Sequence, residues 1–228
     1  MVTNAALAKP ALPLPRIVGE RADAPSFFSG IPSLVFSDHK YDADEEIYGE
    51  GEPVEYVYQV VRGAVRTYKV LCDGRRQISA FHLLGDMFGL TSGGEHRMSA
   101  EAVVGATIRL VKRRALDAAT RTDPGLACAL WKAAADDLRH AEDHMMVLGR
   151  KSAVEKVATF LLEMDRRLAK SGRVALPMSR RDIADYIGMT IETVSRTLTQ
   201  LQEDGALELS GARNIELADR RMLADLSN

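Results

Sequence analysis

The sequence has few of the residues that build disulfide or metal-bound frameworks. Its two cysteines, Cys72 and Cys128, lie far apart, and neither has a neighbouring Cys or His pair. This excludes a zinc ribbon or a four-cysteine iron–sulfur cluster within one chain, and two thiols fit a reducing compartment. No apolar run approaches the length of a membrane span, and the N-terminus lacks a signal-peptide core. We therefore expect a soluble cytoplasmic protein with no membrane partner.

An excess of charge of one sign is also missing. The net charge is -2 at pH 7, and the chain from Lys151 onward contains twelve basic and twelve acidic residues. Any affinity for nucleic acid must therefore come from local placement of side chains and from the pairing of two copies. The hydrophobic content of 46% is enough for a packed core, and 228 residues suit one large domain or two small ones.

Motifs for catalysis and metal binding are absent as well. His39, His82 and His96 are scattered and lack the His-x-His spacing of a cupin metal site. No Ser-His-Asp or Cys-His arrangement has motif support, and no glycine-rich loop resembles a phosphate-binding loop. The sequence favours a protein that is not an enzyme and holds no metal.

The chain begins with a proline-rich segment and continues into a β region. Residues 1–25 contain four of the eight prolines and show no clear period, which predicts a flexible arm; a partner-binding peptide is the alternative. Two Val-rich runs, 55–71 and 100–112, flank the hairpin-forming pair Asp73-Gly74 and a set of glycine corners. Short strands with such corners predict an antiparallel β-roll over residues 26–122.

A long helix is predicted over residues 123–149. Asp123 and Pro124 suit a helix start, because proline is tolerated in the first turn. Apolar residues then recur at alternating spacings of three and four, as in the a and d positions of a coiled coil. We expect a parallel dimer along this seam; the alternative is a helix buried only against its own domain. The seam consists of Trp131, Ala134, Leu138, Ala141, Met145 and Leu148.

The stretch from Ser179 to Gly205 predicts two short helices around a tight turn. Ser179 and Asp182 form an acidic variant of the capping box, and Gly188 supplies a left-handed residue that ends the first helix. Thr190 caps the second helix. This spacing is typical of a helix-turn-helix, although an ordinary helical hairpin has the same periodicity.

The second helix has one apolar and one polar side. Val194, Leu198 and Leu201 lie at i, i+4 and i+7 and mark the buried side. The other side begins with four residues placed to enter a DNA major groove, Ile191, Glu192, Ser195 and Arg196. Two short β runs follow at 206–209 and 214–217 and predict a wing, so that residues 150–228 form a winged-helix domain.

In this order of elements the chain resembles the Crp/Fnr family of bacterial transcription regulators. The segments ISAFHLLGDMFGL (78–90) and RRDIADYIGMTIETVSRTL (180–198) look most like the Fnr/FixK branch. The resemblance implies an α+β fold: an antiparallel β-roll of the cyclic-nucleotide-binding, double-stranded β-helix type, a dimerisation helix and a winged helix-turn-helix. It implies a transcription activator that binds DNA as a homodimer.

The resemblance also implies roles for particular side chains. The E-x-x-S-R pattern that reads bases in this branch falls on Glu192, Ser195 and Arg196, with Ile191 beside them. Arg196 suits a bidentate contact with guanine, and Glu192 can accept from cytosine. The expected target is a TTGA…TCAA palindrome with one half-site per subunit; an exposed helical ion pair is the alternative role. Residues expected at phosphates are Arg180, Thr190, Thr193, Thr197 and Thr199.

Departures from the family pattern bear on what controls the protein. The arm has no cysteine, so an oxygen-sensing iron–sulfur cluster is not expected. Leu90 follows Gly89 where Crp has a glutamate, and Arg97-Met98-Ser99 replaces its Arg-Ser pair, so the expected partners of cyclic AMP are missing. What remains resembles FixK proteins, which need no cofactor and switch on microaerobic respiration and nitrogen-fixation genes. The alternative is a regulator whose β-roll binds a small effector such as a cyclic nucleotide.

The resemblance further implies contact with RNA polymerase through β-roll loops. The matching positions are Gly85, Asp86, Gly93 and Glu95. The alternative is that these positions form turns without a role in binding RNA polymerase.

Overall fold

The computed structural model describes residues 34–168 and 171–227, so the arm predicted at 1–25 lies outside the described residues. Six strands form the N-terminal part. They are β1 (Phe36–Tyr41), β2 (Glu46–Tyr48), β3 (Tyr56–Val70), β4 (Arg76–His82), β5 (Met87–Phe88) and β6 (Ser99–Lys112).

The strands form one antiparallel sheet that curls on itself. Its order is β1-β6-β3-β4, with β2 paired to β6 and β5 paired to β3. The long strands β3 and β6 change register three times between Val60 and Val65, and such bulges bend a sheet. Gly63 sits among them with φ +86°, where a Cβ would lie 2.6 Å from the carbonyl oxygen of Gly105. Glycine is therefore required at this corner of the predicted β-roll.

Two helices follow the roll, α1 (Arg113–Thr122) and α2 (Pro124–Arg150). The start of α2 is as predicted, because the Asp123 carboxylate accepts from the backbone N–H of Leu126 at 3.0 Å. Helix α1 was not predicted from the sequence, and it begins without a side-chain cap. The predicted helix end at residue 149 falls one residue short, because Gly149 lies inside α2 and the chain turns at Lys151, where the backbone becomes extended. A glycine weakens a helix by only about 1 kcal/mol and does not by itself end it.

The C-terminal part is a winged helix, as predicted. It contains α3 (Ala153–Leu168), β7 (Arg173–Ala175), α4 (Arg180–Ile187), α5 (Ile191–Glu203), β8 (Glu208–Leu209), β9 (Asn214–Glu216) and α6 (Arg220–Leu226). Strands β8 and β9 form the wing, and β7, which was not predicted, pairs with β9 to complete a three-stranded sheet.

The two halves share one hydrophobic cluster. Phe81 on β4 is buried, and its ring lies 6.4 Å from that of Phe160 on α3 and 5.1 Å from that of Tyr186 on α4. The helix-turn-helix is therefore packed directly on the β-roll. Within the described part of the chain, no helix is long and apolar enough to cross a membrane.

Candidate nucleic-acid interface

Helix α4 is closed at both ends by the residues that the sequence indicated. The Ser179 hydroxyl accepts from the backbone N–H of Asp182 at 3.1 Å, and the Asp182 carboxylate accepts from that of Ser179 at 3.0 Å. Gly188 ends the helix with φ +64° and ψ +50°. The predicted capping box and left-handed terminus are both confirmed.

Helix α5 is capped by Thr190, whose hydroxyl accepts from the backbone N–H of Thr193 at 3.2 Å. The predicted buried side is confirmed, because Val194, Leu198 and Leu201 are each at most 2% exposed. The opposite side therefore faces solvent at the N-terminal end of the helix. Ile191, Glu192 and Arg196 are exposed there, and Ser195 is partly buried beside them.

Glu192 and Arg196 are not joined by an ion pair within 4.0 Å in the described structure. Arg180 reaches from α4 to α5, where its Nη1 donates to the Ser195 hydroxyl at 3.3 Å. Its Nε is buried and has no hydrogen-bond partner among the described residues. Arg180 therefore ties the two helices together and brings a cation to the edge of the exposed face.

The threonines expected at phosphates fall into two groups. Thr190 and Thr199 are exposed and Thr193 is partly buried, so their hydroxyls lie at or near the surface. Thr197 is only 5% exposed because it sits on the packed side of α5, next to Leu198. The predicted phosphate contact of Thr197 is therefore corrected.

The predicted seam on α2 is an uncovered apolar stripe in the single chain. Trp131, Leu138 and Met145 are 77%, 61% and 63% exposed, and the two alanines between them are exposed as well. The opposite face of α2 packs on the β-roll through Leu126, which is 4% exposed. Leu148 is partly buried and lies against the turn between α4 and α5. A Cβ added to Gly188 in that turn would lie 3.1 Å from Cδ2 of Leu148.

Charged contacts that the sequence pattern does not indicate join α4 to the roll. Arg66 on β3 donates to Asp182 at 3.3 Å and to Asp44 at 2.7 Å. Arg76 on β4 donates to Asp182 at 2.6 Å and to Asp185 at 2.9 Å. Burial raises the pKa of Asp182, but hydrogen bonds from Ser179 and the positive charges of Arg66 and Arg76 outweigh burial and hold that pKa below its ordinary value.

Interior residues of the roll stack on one another. The ring of Tyr58 lies 5.1 Å from those of Tyr48 and Phe88, and Tyr48 stacks on His96 at 3.6 Å. Burial raises the pKa of the Tyr48 phenol far above its ordinary value. A neighbouring cavity of about 260 Å³ contains Glu52 and Glu55 in its lining and no basic residue. This lining is unsuited to a phosphodiester.

The two loops that were expected to contact RNA polymerase differ in their exposure and in their contacts within the protein. Asp86 accepts from Arg167 at 2.6 Å and from the backbone N–H of Leu83 at 2.8 Å, and the neighbouring Gly85 N–H donates to the Val60 carbonyl at 2.8 Å. These contacts make the first loop a structural turn that is tied to α3. Gly93 and Glu95 are exposed in the second loop.

Comparison with known proteins agrees with this geometry. Residues 38–123 match the cyclic nucleotide-binding domain profile, and residues 155–226 match the Crp-like helix-turn-helix domain profile. The nitrogen fixation regulation protein FixK of Azorhizobium caulinodans is 47% identical over 81% of this chain and 77% of its own length. The chain belongs to the Crp/Fnr family, in its FixK branch.

Two further FixK proteins extend the match. The FixK protein of Rhizobium meliloti is 42% identical over 90% of this chain and 92% of its own length. The structure of FixK2 from Bradyrhizobium japonicum superimposes with a TM-score of 0.83 at 62% identity and covers 86% of this chain and 98% of that one. A Crp/Fnr member with this helix-turn-helix is a DNA-binding transcription regulator, and the prediction that the chain is not an enzyme is confirmed by these relatives.

Proposed function

We propose that the protein is a homodimeric transcription activator that binds a TTGA…TCAA palindrome, with one half-site per subunit. The exposed N-terminal face of the capped helix α5 carries this proposal, because it presents Glu192 and Arg196 to a major groove. Similarity to FixK proteins supports target genes for nitrogen fixation and microaerobic respiration. Such a protein acts in the cytoplasm.

Base reading follows from the chemistry of four side chains. The fork of Arg196 pairs with O6 and N7 of guanine, and Glu192 accepts from N4 of cytosine. Ser195 sits between them, and Ile191 supplies an apolar contact at the same end of the helix. Since Glu192 and Arg196 are not paired with each other, no ion pair has to break when DNA binds.

Contacts with the DNA backbone fix the register of the reading helix. The hydroxyls of Thr190, Thr193 and Thr199 and the guanidinium of Arg180 are the groups we assign to phosphates. Arg180 is attached to Ser195 by its hydrogen bond, so a phosphate bound there also orients a base-reading residue.

The uncovered stripe on α2 supports a parallel dimer. Trp131, Leu138 and Met145 would lose their exposure against the same residues of a second copy, and Ala134 and Ala141 allow close approach. Two reading helices then meet successive major grooves about 34 Å apart.

Activity without a bound effector is supported by the stacked interior of the roll. Tyr48, Tyr58 and Phe88 pack on one another, and acidic residues line the adjacent cavity. For RNA polymerase we propose the exposed loop at Gly93 and Glu95, since Gly85 and Asp86 take part in contacts inside the protein.

An electrophoretic mobility shift with purified protein tests the proposal. Binding to the TTGA…TCAA palindrome at nanomolar concentration, with no additive and against a scrambled competitor, is the expected result. A protein that binds only after cyclic AMP or cyclic GMP is added would be an effector-gated regulator, and the proposal would be wrong.

A further inference from the structure

Helix α4 is held to the β-roll at three points along its length. At its first turn Asp182 meets Arg66 and Arg76; one turn later Asp185 meets Arg76 at 2.9 Å. Near its end the backbone carbonyl of Tyr186 accepts from the Gln77 side chain at 3.0 Å. Three contacts spread along one helix restrict both its rotation and its translation against β4.

The first of these contacts is buried. Arg66 and Asp182 are each 5% exposed, and Arg66 is shared among Asp44, Glu101 and Asp182. Burying charges has a large desolvation cost, so an apolar contact of the same size would hold two domains together at least as well. A planar guanidinium also fixes the orientation of α4 on the roll, because its N–H groups point in fixed directions toward the carboxylates.

The same carboxylate has a second task inside α4. One oxygen of Asp182 accepts from the backbone N–H of Ser179 at 3.0 Å and thereby closes the capping box, and the other accepts from both arginines. The start of the helix and its attachment to the roll are therefore one structure. Helix α5 follows after a three-residue turn and packs on α4, so its direction follows that of α4.

We propose that Arg66 and Arg76 are positioning residues for DNA reading: through Asp182 they set the direction of α5 relative to the dimer and therefore the half-site spacing that the protein accepts. This inference rests on the proposed binding of a palindrome by a dimer. It goes beyond that function because it assigns the choice of spacing to residues that touch neither DNA nor the partner subunit in the proposed arrangement.

The half-site spacing that a dimer accepts depends strongly on the direction of its two reading helices. Inserting one base pair moves a half-site by about 3.4 Å and turns it by about 34°, given 10–10.5 base pairs per helical turn. A rigidly mounted pair of reading helices rejects that change, whereas loosely mounted helices tolerate it. The contacts of each helix with its own half-site stay the same in both cases.

The experiment measures binding of Arg76→Gln and Asp182→Asn to palindromes with the natural spacing and with one base pair added or removed. Asparagine keeps an oxygen for the capping box, so Asp182→Asn preserves the helix start while it weakens both arginine contacts. The matched control is Arg109→Gln, because Arg109 pairs with Asp38 at 2.7 Å between β6 and β1, whereas the arginines that contact α4 lie on β3 and β4.

In both test variants we expect the preference for natural spacing to fall by at least about threefold, since each loses part of a charged hydrogen-bond network. The preference for TTGA over a mutated half-site should stay unchanged, and Arg109→Gln should behave as wild type. Test variants that keep the full spacing preference would overturn the inference.

A second measurement separates this inference from the proposed function. If the wild-type protein binds no palindrome, the proposed function fails. Amide hydrogen exchange on the free protein then decides separately whether the arginines anchor α4. Faster exchange in α4 of Arg76→Gln than in Arg109→Gln supports the anchoring of α4 by the arginines. Equal exchange in the two variants overturns it.

Discussion

The ring of His144 on α2 lies flat against the ring of Tyr186 on α4, with centroids 4.0 Å apart and planes 11° apart. His140, one turn earlier on α2, comes within 3.2 Å of the Tyr186 hydroxyl through its Nε2. The helix that carries the proposed dimer seam therefore touches the first helix of the helix-turn-helix directly. This contact and the arginine contacts hold α4 from two sides.

This stack predicts a pH dependence of stability. Burial first, and then the neighbouring His140, lowers the pKa of His144 from 6.5 to about 4. Between these pH values the unfolded chain binds a proton that the folded chain does not, so the free energy of unfolding falls as the pH drops from about 6.5 to about 4. His144→Phe keeps an aromatic ring against Tyr186 and should flatten the slope by at most about 1.4 kcal/mol per pH unit.

Urea unfolding followed by circular dichroism at several pH values measures that slope. Burial also lowers the pKa of His82 to about 4, so part of the slope should remain in His144→Phe. His39→Phe, at an exposed position on β1, serves as the control for the change of side chain from imidazole to phenyl. A slope in His144→Phe equal to that of wild type would contradict the assignment of this pH dependence to His144.

Arg196→Ala should remove selectivity at the guanine of the half-site. The loss of a bidentate contact corresponds to about 1–3 kcal/mol of discrimination at that base pair. Competition binding with palindromes that carry each base at that position measures it. Arg196→Lys keeps the charge and separates base reading from general attraction to DNA; an unchanged base profile in Arg196→Ala would show that another residue reads the guanine.

Leu138→Asp should prevent formation of the proposed dimer. The substitution places two carboxylates, one from each subunit, at the centre of the proposed apolar seam, where burial of a charge is costly. Sedimentation velocity should show a monomer for Leu138→Asp. Arg139→Asp adds the same side chain one position off the seam, and it should sediment as wild type. A dimer in Leu138→Asp would place the interface elsewhere.

Phe88→Ala should destabilise the β-roll strongly. Phe88 is 2% exposed and stacks on Tyr58, so truncation leaves a cavity and should lower the free energy of unfolding by about 3–5 kcal/mol. Phe36→Ala removes a ring that is 40% exposed and should have a much smaller effect. Chemical denaturation of both variants measures the difference; equal losses would mean that the Phe88 ring is not part of the core.

Much of the architecture could be predicted from local patterns. The capping box at Ser179, the left-handed Gly188 and the start of α2 at Asp123 each depend on residues a few positions apart, and all three are present. Helix α1 was missed because no side chain caps its start. The wing hairpin was predicted, whereas β7 was missed because it is three residues long and pairs only with distant β9.

The contacts that hold α4 could not be predicted, for a physical reason. Arg66 and Asp182 are 116 positions apart, and a single sequence gives no indication of which arginine meets which carboxylate. The face of α5 was identified because its buried residues repeat with the period of a helix. Thr197 was misplaced because a small polar residue on the packed side cannot be told from an exposed one by type alone.

Trp131 is the only tryptophan in the chain, and 77% of its surface faces solvent in a single subunit. Its intrinsic fluorescence therefore reports on one place, the N-terminal end of the proposed seam. An indole in water emits at long wavelength and is open to iodide, whereas an indole between two helices emits at shorter wavelength and is shielded. A dilution series read at this one chromophore would follow assembly of the protein without any added label.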